Sequence, residues 1–194
     1  MTETQYFKAI KREIGTDLLD VRIDDEHGDP LKLVQRAKEL KKDAERRARL
    51  DANERIDEVW CVFDVDEHLR IQEARQMAGA NKIELAISNP CFELWALLHF
   101  EDLTAHQERH IVRALLKRHL PEYEKELPIQ DLHRASAYFG DGSAYFHARD
   151  RARDLEDMQA RAGDPGANPS TGVHHLTESI RMTVQKGYFE PIGP

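Results

Sequence analysis

Glu58-Val59-Trp60-Cys61-Val62-Phe63-Asp64-Val65-Asp66-Glu67-His68 is the stretch on which the fold turns. Val59 to Phe63 is an apolar run rich in β-branched and aromatic side chains. It is too short for a globular helix and reads as a strand buried on both faces. The run leads straight into Asp64, Asp66 and Glu67. In an open α/β sheet, ligands gather at the carboxyl ends of the strands. These carboxylates therefore form either a divalent-metal site or a pair that caps the next helix.

Outward from this stretch the pattern alternates. Lys82 to Ile87 reads as a second apolar strand, with a short helix from Leu69 to Ala78 before it. Tyr6, Phe7, Ile10 and Ile14 form a stripe that predicts a helix from Thr2 to Ile14. Asp17 to Ile23 alternates weakly and reads as a strand, and Pro30 opens a long charged helix to about Arg49. Strands alternating with helices imply βαβ units and a mostly parallel sheet flanked by helices, an α/β fold.

Ser88-Asn89-Pro90 breaks the chain, with Asn89 as a helix N-cap and Pro90 at the first helical position. Cys91 to Phe100 is then a helix apolar nearly all round, so it is buried. Glu93 is its exception and needs a partner or a job. Beyond Asp102 the pattern is helical. Helices are expected over Thr104 to His119, over most of Ile129 to Arg161, and from Val173 to Lys186 with Ser170 or Thr171 as the cap. The chain thus divides into an α/β core over residues 1–101 and a helical extension over 102–194 packed on it.

Composition narrows the function classes. Hydrophobic residues make up 40% and charged ones 33%, the balance of a soluble, helix-rich protein. No apolar run approaches the roughly 20 residues that span a bilayer, and the N-terminus lacks a signal-peptide pattern. The expected location is cytoplasmic, with no membrane partner. The two cysteines, Cys61 and Cys91, read as small buried hydrophobes. A net charge of −8 argues against a general nucleic-acid coat protein. Yet residues 32–49 carry eight Lys/Arg against three acids. A local basic helix, Arg46 and Arg47 included, can hold a phosphate backbone; the plainer account is a solvated helix face.

Asp64 and Asp66 can converge on one ion where the pleat ends. Paired carboxylates hold Mg²⁺ (or Mn²⁺) and leave waters for a phosphate, and such an ion polarises a phosphodiester and activates water. Ser88, Asn89 and Glu93 follow the neighbouring strand and share its carboxyl edge. Helix-start amides with Asn89 can bind an anion, and Glu93 can be an outer metal ligand or a base. A plain cap with a dipole-matched acid explains the same residues. His68 is either a proton-transfer group or a surface histidine. His174-His175 is a weak phosphate or metal candidate, and Trp60 and Trp95 read as core.

Three blocks together resemble the RloB family: Val59 to His68, Ser88-Asn89-Pro90-Cys91-Phe92-Glu93-Leu94-Trp95-Ala96-Leu97-Leu98-His99-Phe100, and Asn168-Pro169-Ser170-Thr171-Gly172-Val173-His174-His175-Leu176. Thr2-Glu3 and Tyr6-Phe7 match the end of that family's opening motif. The resemblance implies a TOPRIM-like core, with Asp64 and Asp66 as the metal-binding pair, Glu67 and Glu93 as further acids, and Mg²⁺ as cofactor. It implies a nuclease of an anti-phage or abortive-infection defence system, acting on nucleic acid (DNA or RNA) with an AAA/ABC-type ATPase as partner. The family usually opens with an apolar strand and Glu-Gly ahead of the Thr-Glu that matches Thr2-Glu3; here that strand is expected to be missing. Glu3, inside the first turn of a helix, is not expected to replace its glutamate. Strand edges left open in this way would be covered by pairing with a partner, a homo-oligomer being one form of it, or by rearranging the sheet. The alternative is a catalytically degenerate interaction subunit that binds nucleic acid or the ATPase without cleaving.

Overall fold

The computed structural model describes residues 2–14, 22–24, 28–65, 70–121, 123 and 144–189. These form α1 (Thr2–Ile14), α2 (Pro30–Ala48), β1 (Trp60–Asp64), α3 (Ile71–Asn81), β2 (Glu84–Asn89), α4 (Glu93–Leu97), α5 (Arg109–His119), α6 (Ala144–Arg161), β3 (Ser170–Thr171) and α7 (Val173–Phe189). The expected strand over residues 17–23 lies mostly outside the described residues, as does the 129–143 part of the helix expected over 129–161.

Pro30 opens α2 as expected, and two further local signals bound the helices of the core. Asp29 caps α2, its Oδ1 accepting from the backbone N–H groups of Leu31 (2.9 Å) and Lys32 (3.1 Å), with Pro30 at the first helical position. Lys82 ends α3 in the left-handed region at φ 52°. The chain then enters β2, which pairs parallel with β1 in the register Trp60–Glu84 to Asp64–Ser88. Along β1 the side chains alternate. Cys61 and Phe63 pack under α2 and α3 with Leu31, Val34, Ala74 and Ala78, while Val62 faces the opposite layer.

That opposite layer holds the larger core. Every residue of α4 is buried, and Trp95 is fully enclosed by Tyr6, Phe92 and Tyr145 among others. The Trp95 indole N–H donates to the Tyr6 hydroxyl at 2.9 Å, which ties α1 to α4. A Tyr6→Phe substitution is expected to cost about 2 kcal/mol, because it strips a buried donor of its acceptor. Thermal unfolding should show Tm falling by about 4–8 °C; an unchanged Tm would mean the indole finds another acceptor. Trp60, in contrast, is only half-buried, its N–H donating to Glu58 at 2.8 Å.

Three elements differ from the sequence expectation, for identifiable reasons. Asn89 does not cap α4: its backbone belongs to β2 and its side-chain N–H donates to the Gly166 carbonyl at 3.0 Å, so the helix starts only at Glu93. Helix α5 begins at Arg109, not near Thr104. The Gln107 backbone is held by Asn168, whose amide accepts from Gln107 N–H (3.1 Å) and donates to Gln107 C=O (2.7 Å), which takes both groups from a helical ladder. Ser170 and Thr171 are more than a cap. They form β3, antiparallel to the end of β2, so the sheet order is β1-β2-β3 with one parallel and one antiparallel pairing. Gly172 extends this approach, its N–H donating to the Ile87 carbonyl at 2.8 Å. A strand from residues 102–194 thus joins the sheet formed by the described residues.

Candidate active site at the carboxyl end of the sheet

Parallel pairing brings the carboxyl ends of β1 and β2 to one edge, with Asp64 opposite Ser88 and the Val65 N–H donating to the Ser88 carbonyl at 2.7 Å. The Asp64 side chain is 16% exposed, and its Oδ2 lies 3.5 Å from an Arg109 nitrogen. Its Oδ1 is buried and accepts no hydrogen bond. Burial pushes this carboxyl up to about 7, and the nearby charges of Glu3 and Glu93 add to the rise. Arg109 and the Phe92 backbone N–H pull the other way and do not offset it. The result is a carboxylate whose burial and acidic neighbours outweigh the one guanidinium beside it.

Glu93 is the reverse case. It is buried, yet accepts from Arg113 Nε at 2.9 Å and from the Tyr123 hydroxyl at 2.7 Å. Burial pushes it up, but the Tyr123 hydroxyl, its own backbone N–H, Arg113 and the Cys91 thiol outweigh burial and hold it below the ordinary carboxylate range. The Cys91 thiol is correspondingly driven up, first by burial and then by Glu93. Ser88 is also committed: its hydroxyl and that of Thr171 are 2.9 Å apart across β2 and β3. Ser88 and Asn89 fasten the 166–171 segment to the sheet, and Asn168 in turn fixes the lead into α5, whose first residue is Arg109.

The three sequence blocks meet at this one edge, and the chain is matched over residues 1–180 by the family model described as RloB-like protein. The chain belongs to the RloB-like family. No curated protein and no solved structure matches it. Among the described residues of this RloB-like protein, no helix is long and apolar enough to cross a membrane.

Of the residues expected at the site, Asp64, Ser88, Asn89 and Glu93 come together on this edge of the RloB-like sheet. Asp66, Glu67 and His68 lie outside the described residues. Arg46 and Arg47 do not join them. They sit at the C-terminal end of α2, paired with Asp43 (2.8 Å) and Glu54 (3.2 Å). The same helix sends Lys41 to the carbonyls of Asn81 (3.0 Å) and Lys82 (2.6 Å), just ahead of β2. The basic end of α2 therefore flanks the amino ends of the strands, opposite Asp64. Two residues at the site escape sequence reasoning. Arg109 opens a helix 45 positions after Asp64, with no local pattern to link them. Glu3, set aside as a stand-in for the family's opening glutamate because it lies in a helix's first turn, is the second-largest influence on Asp64 after burial.

Proposed function

We propose that this RloB-like protein is a Mg²⁺- or Mn²⁺-dependent phosphodiesterase that cleaves nucleic acid at the carboxyl edge of a TOPRIM-like core. The observation that carries this reading is Asp64: a buried carboxylate with an unpartnered Oδ1 and neighbouring carboxylates. Hard divalent ions take oxygen donors of this kind. Asp64, with Asp66 and Glu67 just after it in the chain, would hold the ion. When bound, the ion supplies Lewis-acid polarisation of a phosphodiester and a more acidic water. Asp64 accepts the ion only after losing its proton. Arg109, about a third exposed beside that carboxylate, offers a guanidinium suited to phosphate oxygens. Buried Cys91, Glu93 and Tyr123, with half-exposed Arg113, form the network behind the site. Anti-phage defence with an AAA/ABC-type ATPase is the setting that the family resemblance implies.

The test is cleavage. The Asp64→Ala, Asp66→Ala double variant should lose Mg²⁺-dependent cutting of DNA or RNA by at least about 10³-fold, within the range of a several-kcal/mol loss in transition-state stabilisation. It should also lose any toxicity on expression. Undiminished cleavage would overturn the reading. A second reading, a non-cleaving interaction subunit, is favoured by one specific observation: Glu93 and Ser88 are already satisfied within the protein, and Arg109 leans on Asp64. A wild-type chain that binds nucleic acid or the ATPase, yet leaves every substrate intact in Mg²⁺ with that partner present, would establish it.

A further inference from the structure

The end of β3 and the facing helices build a second cluster, joined to the first only through Thr171. His174 opens α7 with a fully buried side chain. Its Nδ1 lies 3.0 Å from the Thr171 carbonyl. A carbonyl only accepts, so Nδ1 carries the proton and Nε2 presents a lone pair. That Nε2 has no hydrogen-bond partner, yet Oε2 of Glu156 on α6 stands 3.4 Å away. Two acceptors thus face each other with no proton between them, an arrangement that calls for a cation.

The adjacent residue supplies a third donor. His175 Nε2 lies 3.0 Å from Oε2 and 3.2 Å from Oε1 of Glu156, and the two imidazole rings are 3.9 Å apart. One ligand atom from each of the three residues falls within 4.8 Å of the others. Ligands of a tetrahedral ion with bonds of about 2.0–2.1 Å stand about 3.3–3.4 Å apart, so small side-chain shifts close the set.

We propose that His174, His175 and Glu156 bind a divalent transition-metal ion of the zinc class. Two imidazoles and one carboxylate suit zinc over magnesium. The Thr171 carbonyl is the outer partner that fixes the His174 ring and leaves Nε2 for the ion. The His174 side chain is fully enclosed, so its Nε2 meets Glu156 and not solvent. His175 and Glu156 are partly exposed, which leaves the fourth position open to water. Arg153 is the opposing charge, felt by both histidines. It is half exposed and reaches towards Glu178 at 4.0 Å, where solvent screens it. A plain ion pair between Glu156 and protonated His175 accounts for those two residues but not for the enclosed Nε2 of His174. Bound there, the ion would clip α6 to the start of α7. Thr171, whose hydroxyl meets Ser88, would be held against β2 with them.

The experiment uses the full chain, stripped with a chelator and titrated with Zn²⁺ by calorimetry and with Co²⁺ by visible absorption; Mg²⁺ is the control. One Zn²⁺ per chain, a tetrahedral Co²⁺ spectrum and a higher Tm with Zn²⁺ are expected. His175→Ala and Glu156→Gln, at the exposed side of the cluster, should each weaken Zn²⁺ binding at least about tenfold and change the Co²⁺ spectrum. The proposal is overturned if the wild-type chain takes up no Zn²⁺, or if both variants bind it as tightly as wild type with the same Co²⁺ spectrum. It is equally overturned if uptake survives both variants but is lost in Asp64→Asn, which places the ion at the first site.

Discussion

Replacing Asp64 by Asn is expected to raise the Tm of the metal-free protein at pH 8 and to leave it nearly unchanged at pH 4. Asp64 titrates near 7 in the fold because it is buried beside Glu3 and Glu93, against an ordinary value of 3.8. Between those values the folded chain holds a proton that the unfolded chain releases. Stability therefore falls as pH rises through this window, and the full penalty of an ionised, buried carboxylate applies above pH 7. At about 1.4 kcal/mol per pH unit the penalty approaches about 4 kcal/mol, and the side chain's low exposure leaves little solvent screening. Asn keeps the shape without the charge, so Tm should rise by roughly 8–16 °C at pH 8. Saturating Mn²⁺ should narrow or invert that gap, because only wild type gains the binding energy. Thermal melts at the two pH values, with and without Mn²⁺, measure this. A variant less stable than wild type at pH 8 without metal would mean that Asp64 is held by contacts, not poised for a cation.

Glu93→Ala should do the opposite and cost about 3 kcal/mol at pH 7. The substitution strips the Tyr123 hydroxyl and the Arg113 Nε–H of the acceptor they share. Breaking a buried ion pair costs about 3–5 kcal/mol when one charge stays behind. Arg113 is 47% exposed and can turn to water, which puts the loss at the low end. The carboxyl is held below its ordinary 4.5, so its contribution is present above that value and is lost as pH falls through the lowered one. Chemical denaturation at pH 7 and again below pH 4 should show the difference from wild type shrinking in acid. A Glu93→Ala protein as stable as wild type would remove Glu93 from the structural network and return it to the chemistry.

Asp64 and Glu93 also show how far the sequence reading reaches. Asp64 was legible because a short apolar run ending in acids has few other readings, and the pairing of β1 with β2 follows from two such runs separated by a helix. Glu93 was visible as an exception on an apolar helix, but its partners, Arg113 and Tyr123, come from elements with no pattern tying them to it. Strand β3 was hidden because two polar residues before a helix look like a cap. Only their pairing with Asn89 and Ser88, some 80 residues back, makes them a strand. Asn89 carried a strong helix-start signal that the Gly166 carbonyl, 77 residues on, overrides. Long-range polar contacts of this kind leave no periodicity to read.

The most direct measurement is calorimetric titration of Mn²⁺ into the metal-free full chain at pH 8, wild type against Asp64→Asn. The account predicts a Mn²⁺ equivalent bound by wild type and absent from the folded variant, with wild-type affinity weakening as pH falls below 7 and Asp64 regains its proton. Equal Mn²⁺ binding by the two proteins, or none by wild type, would contradict it.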